Sequence, residues 1–114
     1  GHLTSTLGDV LEMQNWHEVL GLSGKDFPYV NSTKSLIGHC LGAAGAIELV
    51  AAVLEMKHGF IHASLNSENL HPAIAALVDR EKIPLQAIKK DINIVAKSSF
   101  GFGDVNSCVV LRNW

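Results

Sequence analysis

One apolar stretch, "IGHCLGAAGAIELVAAVLEMK", constrains the fold more than any other feature. It predicts a helix from Gly38 to Lys57. Ile47, Val50 and Leu54 recur along one face, and Ala43, Ala44, Ala46, Ala51 and Ala52 leave little polar surface elsewhere. A helix apolar nearly all round belongs in a protein interior. Gly42 and Gly45 each weaken it by about 1 kcal/mol against alanine. That cost makes sense where another backbone approaches closely. The longest apolar run within it, Leu41 to Leu54, is interrupted by Glu48 and is too short to cross a bilayer.

Such a helix needs layers around it. The chain has 114 residues, 47% hydrophobic and 18% charged, enough for one modest domain with a core. The net charge of −2 and pI near 6.3 carry no basic excess for nucleic acid. No CxxC or other metal-ligand spacing occurs. Cys40 and Cys108, both in apolar contexts, read as reduced, buried thiols. With no signal-peptide pattern, a cytoplasmic location is expected.

The flanking segments supply those layers. "LGDVLEMQNWHEVLG" reads as a helix: Asp9 and Glu12 resemble a capping box, Val10, Met13, Trp16 and Leu20 recur at helical spacing, and Gly21 is a stop. "FPYVNSTK" reads as a short strand and "GFIHASLN" as extended. A short helix is expected around Ala73 to Val78. "DINIVAKSSF" and "VNSCVVLRNW" read as strands, the second buried, joined by a tight turn at "GFGD". The order predicts an α/β fold, a layered half-domain with a mixed sheet and a buried Gly/Ala-rich helix.

Three places could carry chemistry. His39 falls at the first turn of the expected helix, where about half a unit of positive charge disfavours an imidazolium and suits a neutral hydrogen-bond donor. Lys34 precedes it at an expected strand end, the edge where α/β sheets bind ligands. Glu48 sits about two and a half turns along so apolar a helix that its carboxylate needs a partner. Lys34 is the candidate. A surface lysine, a capping histidine and an edge glutamate fit the same residues. "SSFGFGD" could aim backbone N–H groups at a developing oxyanion, or form an ordinary hairpin turn. "GHLTST" sets His2 among hydroxyls just before a helix. His17, His58, His62 and His71 read as structural.

In this order, "HLTSTLGDVLE", "STKSLIGHCLGAAGAIE" and "SSFGFGDVN" resemble the β-ketoacyl-acyl carrier protein synthases of the thiolase-like superfamily. The family patterns are "HGTST…GD", "STKS.IGH.LGAAG..E" and "NSFGFGGTN". The resemblance implies a thiolase-like αβαβα layering, of which residues 1–114 form a C-terminal ketosynthase domain fragment. The N-terminal half with the nucleophilic cysteine would lie outside it, because Cys40 does not match that cysteine. Alone, the fragment is expected to be inactive. The resemblance implies that His2 and His39 are the active-site histidines, hydrogen-bonding a malonyl thioester carbonyl. Lys34 then organises the site with Glu48 as its acidic partner. Phe102 is the gating phenylalanine whose N–H forms half of an oxyanion hole, and Phe100 packs in the same loop.

The implied activity is acyltransferase chemistry, a decarboxylative Claisen condensation in fatty acid or polyketide biosynthesis. No metal and no cofactor are implied, since substrates ride on the phosphopantetheine of acyl carrier protein. The implied partners are that carrier protein, the N-terminal half and a second copy in a homodimer, with no nucleic acid and no membrane span. A non-catalytic chain-length-factor-like subunit is the alternative, against which the retained His2, Lys34, His39 and Glu48 argue. Three departures stand out: Leu3 replaces a small residue beside a loop one residue shorter than usual, Asp104 a glycine, and Val105 a threonine. Asp is among the better replacements where φ is positive.

Overall fold

The computed structural model describes residues 1–114. Helix α1 spans Leu7–Leu20 and ends on Gly21 in the left-handed conformation, φ 65°. Its start differs from the expectation. Thr6 is the N-cap, and Asp9 accepts the backbone N–H groups of Thr4, Ser5 and Thr6. Glu12 is not a capping residue: it is buried.

The segment "FPYVNSTK" is not a strand. Phe27 is buried in an irregular loop, and Val30 N–H donates to the Lys82 carbonyl rather than to a sheet. The segment ends in a short helix, α2, Lys34–Ile37. Pro28 removes a donor in mid-segment, which explains why no ladder forms. A 3₁₀ turn, Leu41–Ala43, then leads into α3, Ala44–His58, which stops on Gly59 at φ 64°.

Helix α3 is the Gly/Ala helix, yet in this chain only one face is covered. Ala44, Glu48, Ala52 and Glu55 are buried, at the i, i+4, i+8 and i+11 spacing of one helix face. Val50, Val53 and Leu54 remain exposed. Nor does a backbone approach the glycines. Gly42 faces open space, and Gly45 faces the side chains of Lys97 and Ser99 at ordinary contact distance.

Strand β1, Phe60–Ile61, pairs antiparallel with β2, Ile88–Lys89. Between them lie the short helix α4, Pro72–Ala75, and a second 3₁₀ turn, Arg80–Lys82. Strand β3, Ile94–Gly101, pairs antiparallel with β4, Val105–Arg112, in a continuous register from Ile94 opposite Arg112 to Gly101 opposite Val105. All strand pairing is antiparallel, where a mixed sheet was expected. The turn residues Gly103 and Asp104 both have positive φ, 77° and 59°, so Asp104 occupies a conformation that aspartate tolerates. Strand β4 is exposed along nearly its whole length rather than buried, because its outer edge and apolar side chains have no cover within the chain.

The core joins α1 to α4 and the loops around them: Met13, Phe27, Ile74, Val78 and Ile83, with Leu3 and Trp16 packed against it. Strand β3 lies between two helices. Side chains alternate across a strand. Accordingly Lys97 meets Glu48 of α3, while Ser98 meets Glu12 of α1. This sandwich positions everything described next.

Candidate active site

Two rings meet where the N-terminal segment crosses the approach to α3. The His2 and His39 ring centroids are 5.2 Å apart, edge to face at 78°. The Phe100 ring stands 5.6 Å from His2 in the same style, at 68°. Three of the residues named from the sequence thus converge, from positions 2, 39 and 100.

Backbone anchoring holds His2. Its N–H donates to Glu12 Oε1 at 3.0 Å, and the N–H of Leu3 donates to Oε2 at 3.1 Å. The Ser98 hydroxyl donates to the same carboxylate. Leu3, the bulky departure from the family pattern, packs its side chain on the α1–α4 core, and its carbonyl accepts from Ser32 at 3.3 Å. The larger side chain therefore points away from chemistry and adds anchorage to the loop.

His39 is not in the first turn of α3. It precedes the 3₁₀ turn, and the N–H of Leu41 donates to its Nδ1 at 3.0 Å. That bond leaves the ring proton on Nε2, so a single backbone donor sets the tautomer. Leu41 itself carries a positive φ of 49°, a strained conformation for leucine at this bend.

Close enough to His2 to act on its imidazole lies a buried charge cluster. Lys34 Nζ donates to Glu48 Oε1, with side chains 5% and 6% exposed. The expected pairing is present, although Lys34 opens the helix α2 and does not end a strand. A third member was not foreseen. Lys97, from β3, brings its Nζ to 2.7 Å from Glu48 Oε2 and also donates to Ser99 Oγ. The only hint in the sequence was an ionisable residue inside the alternating run "NIVAKSS". Glu12 was likewise readable only as a helix residue.

The turn residue Phe102 is not brought into this group. Its side chain is fully exposed in the turn after β3 and makes no ring contact. Neither cysteine belongs to it: both are free, Cys40 half-buried and Cys108 exposed on β4, which corrects the expectation of two buried thiols. No group of His, Cys, Asp and Glu could hold a metal ion. The histidines read as structural behave so. His17 Nδ1 meets the Leu22 carbonyl at 2.8 Å and His71 Nδ1 accepts from Ala73 N–H at 3.2 Å.

Electrostatics follow the geometry. Burial lowers the His2 pKa below its ordinary 6.5, and the Lys34 cation lowers it further, against the opposing pull of Glu12. Burial alone would raise the Glu48 pKa. The hydrogen bonds and charges of Lys34 and Lys97 outweigh it, and the net shift is downward. Glu12 behaves alike: burial raises its pKa, but the Ser98 hydroxyl and the amides of His2 and Leu3 bring it below the usual value. The arrangement can present a neutral imidazole beside an imidazole of fixed tautomer, over a compensated buried lysine. Such fixed N–H donors suit an oxygen on which negative charge develops.

The site thus brings a pair of imidazoles together with a buried lysine–carboxylate pair within a layered α/β domain. The chain belongs to the β-ketoacyl synthase family: residues 2–68 match the family described as Beta-ketoacyl synthase, C-terminal domain. It is 36% identical over 113 residues to 3-oxoacyl-[acyl-carrier-protein] synthase 2 of Rhizobium meliloti, covering 99% of this chain and 26% of that protein. To 3-oxoacyl-[acyl-carrier-protein] synthase 1 of Escherichia coli it is 38% identical, covering 97% and 26%. Among solved structures, it matches a chain from a type II PKS acyl-carrier protein in complex with its ketosynthase bound to the hexaketide. There the TM-score is 0.85 at 37% identity, over 97% of this chain and 26% of that one. The fold is thus that of the C-terminal part of a thiolase-like ketosynthase, and the chain spans about a quarter of the length of the curated relatives it matches.

Proposed function

We propose that the protein carrying this chain is a 3-oxoacyl-[acyl-carrier-protein] synthase, and that these residues supply its decarboxylation machinery. The observation that carries the reading is the His2–His39 ring pair at 5.2 Å, with the buried Lys34–Glu48 pair near enough to act on His2. The malonyl thioester carbonyl oxygen accepts hydrogen bonds from both imidazoles. The bond to the carboxylate breaks, its electron pair passes through the α-carbon to that oxygen, and carbon dioxide leaves. The enolate carbon then attacks an acyl thioester on a cysteine, which departs as thiolate. Neutral imidazole donors stabilise the enolate most where water is excluded.

The cysteine nucleophile lies outside residues 1–114 in this reading: Cys108 is exposed on β4, and Cys40, beside the 3₁₀ turn, does not match the family's cysteine. Residues 1–114 thus form the C-terminal ketosynthase domain fragment, inactive alone. Exposed Val50, Val53, Leu54 and Val110 support a further stretch of protein covering α3 and β4, and a homodimer. Phe102 is free to swing over an acyl chain, with its N–H as an oxyanion donor; Phe100 packs beside His2. Acyl carrier protein is the substrate-bearing partner, delivering acyl groups on phosphopantetheine with no other cofactor, and the pathway is fatty acid or polyketide synthesis. The cytoplasm, which keeps thiols reduced, is the location; no helix is long and apolar enough to cross a membrane.

The test uses the full-length protein and malonyl carrier protein. His39→Ala should lower decarboxylation by roughly 10²–10³, the loss of one fixed donor worth about 2.7–4 kcal/mol. Acyl transfer to the cysteine should stay measurable. Unimpaired decarboxylation would reject the role of His39. Absence of decarboxylation in the unaltered protein would favour a non-catalytic partner subunit instead.

A further inference from the structure

Lys97 has no part in the machinery described so far, yet it is buried on the same carboxylate. Its side chain is 8% exposed, and its Nζ lies 2.7 Å from Glu48 Oε2, the oxygen that Lys34 does not use. Glu48 is therefore held from two sides by two elements, the short helix α2 and strand β3. Three residues beyond Lys97, the same strand delivers Phe100 against His2. The intervening Ser98 ties the strand to Glu12, which holds the His2 backbone.

We propose that Lys97 is a positioning residue: by pairing with Glu48 Oε2 from β3, it keeps the carboxylate ionised and aimed at Lys34, and so fixes the Lys34 cation near His2. The proposal rests on the decarboxylase reading of that pair. A lone Lys34–Glu48 pair would leave the second carboxylate oxygen buried with no opposite charge beside it, and that oxygen would draw a proton or turn the group away. A second ammonium removes both escapes.

The groups facing Glu48 define what a pH experiment reads. Lys34 approaches from α2, Lys97 from β3, and His2 from the N-terminal segment. Glu55, on α3 itself, and His62 line the same small cavity as Glu48. Of these, Lys34 and Lys97 hold the Glu48 pKa down. Loss of Lys97 must raise it, and acid must then disarm the Lys34–Glu48 pair at a higher pH.

The experiment compares full-length protein with Lys97→Met and Lys97→Arg by two readouts. Carboxyl ¹³C NMR follows Glu48 through acid pH, and malonyl decarboxylation is measured across the same range. Lys97→Met should raise the Glu48 titration midpoint, shift the acid limb of the rate profile to higher pH, and slow the reaction by roughly tenfold to a hundredfold, as expected for a small misplacement. Lys97→Arg, which restores a cation, should bring both midpoints back toward the original. Should Lys97→Met not fold, Lys97→Gln, which keeps a donor and loses the charge, gives the same reading. Midpoints unmoved by loss of the cation would overturn the proposal, as would a rate loss that scales the profile without shifting it. The NMR arm needs no catalysis. If Glu48 moves as expected while the unaltered protein does not decarboxylate, Lys97 positions the pair and the decarboxylase reading fails.

Discussion

Two carboxylates on either side of β3 solve the same problem in opposite ways. Glu12 on α1 and Glu48 on α3 are 3% and 6% exposed, and adjacent strand residues, Ser98 and Lys97, reach one each. Glu12 is hydrogen-bonded by a hydroxyl and two amides, whereas Glu48 is ion-paired with two ammonium groups. Amides belong to the backbone, so Glu12 fixes where the chain runs and thereby where His2 stands. Ammonium groups carry charge, so Glu48 fixes where cations stand and what they do to a neighbouring imidazole. A buried carboxylate is an anchor or an electrostatic part according to the donors that satisfy it.

The sharpest way to break this comparison is Glu48→Ala in the full-length protein. It leaves two buried ammonium groups facing each other, and the cost should reach about 5 kcal/mol, the upper end for breaking a buried pair. Lys34→Ala should cost less, because Lys97 still partners the carboxylate, and the double variant should be less damaged than the sum. A double-mutant cycle on unfolding free energy decides it. Additive effects would mean that the groups are not one unit.

Glu12→Ala ranks next. It strands the N–H groups of His2 and Leu3 and the Ser98 hydroxyl, for about 3 kcal/mol at about 1 kcal/mol each. Its signature differs from that of Glu48→Ala, since the His2 loop should lose amide exchange protection while the α3 segment keeps it. Equal loss in both segments would erase the distinction between anchor and electrostatic part.

Acid should act on both. Each carboxylate has a folded-state pKa lowered from 4.5, so each contributes stability that is fully present above that value. The contribution is lost as pH falls through the folded-state pKa, by at most about 1.4 kcal/mol per pH unit per group. Urea midpoints should be insensitive to these two groups above pH 4.5 and decline below it, with a shallower decline in Glu48→Gln. An identical slope in that variant would show that Glu48 is not shifted.

The smallest effect expected is that of Ser98→Ala, about 1 kcal/mol, because Glu12 keeps both amides. It should leave decarboxylation nearly unchanged. A large rate loss would mean that the hydroxyl positions His2 more than the amides do.

By itself the sequence determined what local chemistry can dictate. Glu48 sits on a helix so apolar that an unpaired carboxylate was untenable, and Lys34, fourteen residues before it, was the cation to hand. Positive φ in the turn near Asp104 could be anticipated from the glycines around it, and the α1 stop from Gly21. Other features depended on which elements meet. The strand expected at "FPYVNSTK" is absent because Pro28 interrupts the donors and Val30 bonds to the Lys82 carbonyl instead. Apolarity of α3 and β4 promised burial, but burial requires a covering layer, and within these residues Val50, Val53 and Val110 have none. Lys97 and Glu12 entered the site only through tertiary structure. A strand's two-residue alternation aims neighbouring side chains at different helices, and the identity of those helices is not written near position 97 or 98. The pairing of Lys97 with Glu48 spans forty-nine positions and that of Ser98 with Glu12 eighty-six. Only packing β3 between α1 and α3 brings either within reach.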